Sequence, residues 1–127
     1  MLIGELAERA GTSTRALRYY ETRGLLHARR SSNGYRTYDA AELRVVHEIR
    51  ALLAVGLTLD DIRPFVDCLR AGNSSGDVCP DSVAVLRRKL AEVDAAAARL
   101  GEVRERLHAQ LSHAITHRED TCTRQTC

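Results

Sequence analysis

Apolar residues recur along the chain at three- and four-residue spacing, and this pattern predicts helices. Ile3, Leu6, Ala7 and Ala10 form a first stripe, and Gly11 offers the left-handed backbone that ends a helix. Ser13 is a good N-cap for a second helix from Thr14 to about Arg23, with Ala16, Leu17 and Tyr20 on its inner face. Helix, glycine turn and helix in so short a span form a helix-turn-helix pattern, which a plain helical hairpin shares. The periodicity then breaks over LLHARRSSNGYRTYD. There Asn33-Gly34 predicts a hairpin with a type I′ turn, in which both central residues need positive φ. Tyr35 and Tyr38 flank it with β propensity, and a hairpin at this place is a wing.

Helical spacing returns at Asp39-Ala-Ala-Glu42, a capping-box-like start, with Leu43, Val46, Ile49, Leu52 and Leu53 inward as far as Gly56. Thr58-Leu-Asp-Asp61 opens another helix, with acids in its first turn and a stripe of Ile62, Phe65, Val66 and Leu69. Pro64 lies inside that helix and should kink it. Residues 71–80, AGNSSGDVCP, read as a loop. From Asp81 or Ser82 the longest periodic stretch begins. Val83, Leu86, Leu90, Val93, Ala97 and Leu100 follow a coiled-coil seam, which changes phase near Gly101 to Val103, Leu107, Leu111 and Ile115. A helix over residues 81–117 would be roughly 55 Å long. Its stripe exceeds what a body of some eighty residues can cover, so a homodimer is expected.

Composition narrows the class. The chain has 127 residues and 44% hydrophobic residues, which predicts a folded chain. No apolar run approaches the ~20 residues of a membrane span. Two prolines and few aromatics argue against an all-β sandwich. The first residues carry acids early and lack a basic-then-apolar leader, so a cytoplasmic chain is expected. The net charge of +2 hides an asymmetry: residues 1–38 hold seven Arg against three Glu, while the remainder is mildly acidic. A basic head suits a polyanion at that end.

The run IGELAERAGTSTRALRYYETRGLL, followed by NGYRTYDAAEL, GLTLDDIRPFV and a long seam helix, resembles the MerR family of bacterial transcription regulators. The likeness is close over residues 1–70 and one of pattern over 81–112. It implies an all-α dominated fold: a winged helix-turn-helix DNA-binding domain with a helical connector over 1–70, then the loop 71–80. A dimerisation helix over 81–117, forming an antiparallel coiled coil, and a cysteine-containing tail over 118–127 complete it. It further implies a homodimer on double-stranded promoter DNA, acting on RNA polymerase indirectly by bending and underwinding a long spacer. Such bending costs on the order of 1–6 kcal/mol, offset by protein contacts.

Matched position by position, the resemblance implies that Ser13, Thr14, Arg15, Arg18 and Tyr19 face the groove. It places Arg30, Asn33, Gly34, Tyr35, Arg36 and Tyr38 on the wing, with Tyr35 and Arg36 as the leading phosphate contacts. Arg9 and Arg23 are better suited to ion pairs within the protein.

Four cysteines in a cytosolic chain point to metal or thiol chemistry before structural disulfides. Cys68, on an apolar helix, reads as a buried inert thiol. Cys79 precedes the long helix, whose dipole would favour its thiolate. Cys79 resembles a ligand position of the family's metal sensors, but where those sensors have their next cysteine this chain has Ala114. The nearby donors are His113 and His117, one helical turn apart, then Cys122 and Cys127. Together with Cys79 of the other subunit they could hold a divalent or soft metal ion. The expected function is effector-responsive transcription regulation, without catalysis, in which the effector is a metal ion, or else thiol oxidation or electrophile modification at Cys79 or Cys122. The rivals are an effector-independent architectural DNA binder and an enzyme or metal-handling protein built on the Cys/His tail.

Overall fold

The computed structural model describes the backbone of residues 1–124 and the side chains of residues 1–118. The elements run α1 (Ile3–Ala10), α2 (Thr14–Thr22), β1 (Arg29–Arg30), β2 (Arg36–Thr37), α3 (Ala40–Ala54), α4 (Leu59–Arg70) and α5 (Pro80–Arg124). Two compact units share α5: one spans Met1–Leu86, and the other begins at Arg87.

In the first unit α1 and α2 meet at the glycine turn that the sequence predicts. Gly11 takes φ 68°, and its N–H and that of Thr12 return to carbonyls of the last turn of α1. Ser13 then caps α2, its hydroxyl accepting from Ala16 N–H at 3.1 Å. Leu6, Leu17, Leu25, Leu26, Ile49 and Phe65 are essentially solvent-free, so one core joins both helices to α3 and α4. Thr58 and Asp61 form a reciprocal capping box at the start of α4, which continues through Pro64 to Arg70.

Helix ends are completed by arginines from other elements. Arg50 of α3 donates to the Ala10 carbonyl, and Arg63 of α4 donates to the Arg23 carbonyl at 2.6 Å. Each guanidinium thus satisfies an acceptor left over at a helix C-terminus, where positive charge is also favoured. Arg70 and Glu42 form the most enclosed ion pair. Arg70 Nη1 meets Glu42 Oε1 at 2.7 Å, and the Glu42 side chain is 8% exposed. The same carboxylate accepts from His27 N–H, and Arg70 donates to the Leu25 carbonyl at 2.8 Å. Both charges are therefore well hydrogen-bonded, as a buried pair must be. The bond to Glu42, more than any other cause, raises the Arg70 pKa.

Four sequence expectations change. The β1–β2 register of Arg29 with Thr37 and Arg30 with Arg36 leaves five residues between the strands, and closure by Ser31 and Tyr35 reduces the loop to Ser32–Gly34, three residues instead of a two-residue Asn-Gly turn. Gly34 N–H bonds the Ser31 carbonyl and Ser31 N–H bonds the Tyr35 carbonyl, with Gly34 at φ 80° as the left-handed position. Asp39 caps α3, but Glu42 turns to Arg70 and does not close the box. On α3, Val45 is buried where Leu53 was expected; Leu53 is left exposed. Finally, α5 runs from Pro80 to Arg124, beyond the expected end at residue 117.

The loop between α4 and α5 is tightly seated. A Cβ on Gly76 would lie 2.9 Å from the Phe65 carbonyl oxygen and 3.0 Å from Glu48 Oε1. Gly76→Ala should therefore cost about 1–3 kcal/mol of unfolding free energy in urea titration, since the helix backbone cannot yield. Burial first, then the charge of Asp77, raises the Glu48 carboxyl above its ordinary range, with Arg44 acting the other way. A raised carboxyl favours the fold only while protonated, and that contribution is lost as pH rises through the folded value. Glu48→Gln should accordingly melt higher than the parent at neutral pH, and the gain should vanish at about pH 4.

Candidate nucleic-acid interface

The outward face of α2 is built by subtraction. Leu17 and Tyr20 point into the core, which turns Arg15, Arg18 and Tyr19 to solvent. Tyr19 is 51% exposed. Arg15, Arg18 and Arg29 make no ion pair among the described residues, so their guanidinium groups are available to an external anion. Ser13 is exposed and Thr14 half-buried at the leading end of the same helix. The N-terminus of α2 also presents the positive end of its dipole.

Glu21 fixes the wing to this helix. Arg36 Nη1 donates to both Glu21 oxygens at 3.1 Å, and the Tyr38 hydroxyl donates to Oε2 at 3.2 Å. Arg18, Glu21, Thr22 and Arg36 line a recess between α2 and the wing. The wing's tip carries the exposed Arg30, Asn33, Gly34 and Tyr35, with Tyr35 65% exposed. Arg30 Nη1 bends back to the Gly34 carbonyl at 3.5 Å. From the other side, the chain start is tied in: Met1 and Tyr38 exchange backbone bonds of 2.8 and 2.7 Å.

One expected wing contact is corrected, and a second has an internal partner. Tyr38 is 2% exposed and belongs to the core, because its position after β2 points the ring under α2, where Glu21 receives its hydroxyl. Burial, then the charge and hydrogen bond of Glu21, push this phenol up and keep it a donor. Arg36 is exposed but already neutralised by Glu21, so it offers a phosphate less than a free arginine would. The expected intraprotein pairs do form: Arg9 meets Glu5 at 2.9 Å and Arg23 meets Asp60 at 2.8 Å. Arg23 also donates to the Tyr19 hydroxyl, which is the largest cause of its raised pKa.

The Cys/His set is only partly assembled. Cys79 is disulfide-bonded to Cys68, so neither the metal-binding thiolate expected at Cys79 nor the inert thiol expected at Cys68 is present. The two side chains meet because α4 ends beside the start of α5, a proximity that sequence spacing does not reveal. His113 and His117 do come together on the exposed face of α5, with Nε2 atoms 2.8 Å apart. No group of three or more potential metal ligands occurs among the described residues. Cys127, and the side chain of Cys122, lie outside those residues.

The sequence assigns no role to Glu21, Arg50, Arg63 or Arg70 and only a capping role to Glu42, yet these residues position the interface. Glu21 lies within the RYYE string, but nothing in the string shows that its carboxylate meets a wing arginine.

Comparison with known proteins agrees with this geometry. Residues 1–67 match the model of the MerR HTH family regulatory protein, and residues 43–110 match the MerR, DNA binding model. The chain is 38% identical over 106 residues to nodulation protein NolA of Bradyrhizobium sp. (strain NC92), covering 83% of this chain and 40% of that protein. It thus spans about two-fifths of the length of the first curated relatives it matches. It is 31% identical over 115 residues to the HTH-type transcriptional regulator HmrR of Rhizobium leguminosarum bv. viciae, covering 90% of this chain and 85% of that protein. Among solved structures, it is similar to PbrR691 from Ralstonia metallidurans CH34 in complex with lead(II), at 29% identity and TM-score 0.69, over 86% of this chain and 84% of that one. It is also similar to HiNmlR, a MerR family regulator lacking the sensor domain and bound to promoter DNA, at 25% identity and TM-score 0.57, over 88% and 83% of the two chains. On the family match and on the HmrR likeness, the chain belongs to the MerR family of helix-turn-helix regulatory proteins.

Proposed function

We propose that the chain is a transcription regulator that binds promoter DNA as a homodimer. In this reading α2 enters the major groove with Ser13, Thr14, Arg15, Arg18 and Tyr19, while Arg30, Asn33, Gly34 and Tyr35 of the wing meet the flanking backbone. The observation that carries it is the rigid pairing of α2 with the wing through Glu21, which presents unpaired arginines on one face. The relative HiNmlR is bound to promoter DNA. Regulation acts on RNA polymerase indirectly, by distortion of the duplex, and the working compartment is the cytoplasm.

The dimer reading rests on the second unit. Leu90, Val93, Leu100, Leu107 and Leu111 are each more than half exposed along α5. Leu100, Val103, Leu107 and Leu111 line one apolar groove on that helix, edged by Arg104 and His108. A seam of this kind is stable in water only when covered, and a second copy supplies a matching surface.

A metal ion is a second reading for the effector. His113 and His117 share a helix face at chelating distance, and the relative PbrR691 binds lead(II). Cys122 and Cys127 would complete the site, joined by Cys79 of the other subunit only when its disulfide is open.

A mobility-shift titration on the chain's own upstream DNA, paired with in-vitro transcription, tests the function. Retarded duplex and an effector-dependent transcript are expected. Binding with a transcript that no metal or oxidant alters would favour an architectural role. Arg15→Ala and Arg18→Ala should each lower the salt slope of binding by about 1, as loss of one phosphate contact does. Arg36→Ala should change the slope less, because Glu21 already neutralises it. Leu100→Asp with Leu107→Asp should yield monomers in sedimentation equilibrium and weaken promoter binding by about 100-fold, as the two heads lose their linkage.

A further inference from the structure

We propose that Cys68 and Cys79 form a reversible dithiol–disulfide switch that sets the regulator's output. The proposal rests on the promoter-binding reading above. The bond joins the last turns of α4 to the residue just before α5, across a separation of 11 positions. It closes a loop that is also held by the Arg44 bond to the Ser74 carbonyl, at 3.0 Å, by the Asn73 bond to the Cys68 carbonyl, at 2.9 Å, and by the seated Gly76. The bond therefore adds a covalent tie between the start of α5 and the connector helix, beside the burial of Ser82 and Val85 against the first unit. A protein that works on DNA in the cytoplasm sits among thiol pools that keep structural disulfides rare, so a bonded pair there acts as a redox couple.

The two sulfurs are unequal, and this sets the direction of attack. Cys68 is 2% exposed, whereas Cys79 is half-buried and keeps some contact with solvent. A surface recess reaches the pair between Pro64, Asp67, Ala71 and Asp81. A low-molecular-weight thiolate entering there attacks Cys79 Sγ. The Cys68–Cys79 bond breaks, a mixed disulfide forms on Cys79, and the pair of electrons leaves with Cys68 sulfur, which takes a proton. A second thiolate attacks the small molecule's sulfur and releases Cys79 as thiolate. Two protein thiols and one small-molecule disulfide result, and a small-molecule disulfide drives the same steps backward. Partners for both products are already in place. The Ser75 carbonyl lies 3.6 Å from Cys68 Sγ, positioned to accept its S–H. Asn73 Nδ2 lies 3.4 Å from Cys79 Sγ while it also bonds the Cys68 carbonyl at 2.9 Å. This amide, with the positive end of α5, stabilises a Cys79 thiolate.

The test uses the full chain carrying Cys122→Ser and Cys127→Ser, so that only this pair can react. Oxidised and reduced glutathione buffers set the state, alkylation with mass mapping reads the bond, and the upstream duplex reads binding and transcription. The expected result is a Cys68–Cys79 bond that opens and re-forms with the buffer. Transcript level should differ about fivefold or more between the states. Cys68→Ala with Cys79→Ser should give one level in every buffer. A bond that never forms, or that glutathione cannot open, overturns the proposal, because the pair is then no couple. Equal transcription from both states, with the duplex bound in each, overturns the switch but leaves the promoter reading standing. A duplex bound in neither state defeats the promoter reading and the switch built on it, while the alkylation map still decides whether the couple exists.

Discussion

The carboxylate of Glu21 is the constraint on which the first unit's working face depends. It lies on the helix that presents Arg15 and Arg18, and it receives both Arg36 and Tyr38 from the strand that follows the wing tip. A two-residue-per-strand ribbon has little stability of its own. Anchored through Glu21 and through the chain start at Met1, it holds a fixed distance from α2. In the proposed reading, a duplex would meet two contact points already in register, and little ordering cost would fall on the binding step.

The same economy of partners runs through the connector. Arg50, Arg63 and Arg70 each leave a helix of the connector and close a carbonyl or carboxylate elsewhere. The effect is that α3 and α4 are tied to the ends of α1 and α2 by directional bonds as well as by the shared core. Among the described residues of the second unit, the ion pairs join neighbours on one helix only. One helix carries a long apolar stripe, and at roughly 25 cal/mol per Å² its exposure to water is a standing penalty that the proposed association would remove.

How much of this could be read from the chain depends on the range of the interaction. Local signals were legible: Gly11 ending α1, Ser13 capping α2, and Thr58 with Asp61 opening α4 all involve residues within a few positions of one another. The long helix and its apolar stripe were legible because periodicity needs no partner to be seen. Interactions across elements were not. Arg36 and Tyr38 look alike as wing residues, but both reach Glu21, Arg36 from an exposed position and Tyr38 from the core, and a three-residue loop replaces the two-residue turn that Asn33-Gly34 suggests. Cys68 and Cys79 read as unrelated, one on a helix and one in a loop. Their meeting depends on how the loop folds back against α4, which Gly76 permits by lacking a side chain. Glu42 seemed a capping residue because Asp39 lies three positions earlier, but Arg70 competes for it and wins with charge-assisted bonds at 2.7 and 3.0 Å.

The central claim is that paired copies, joined through α5, place two α2–wing faces on one duplex. Sedimentation equilibrium of the chain with a duplex from its own upstream region measures this directly, through the mass of the complex. The account predicts two chains per duplex. A complex of one chain per duplex, or free chain and free duplex sedimenting separately at low ionic strength, would contradict it.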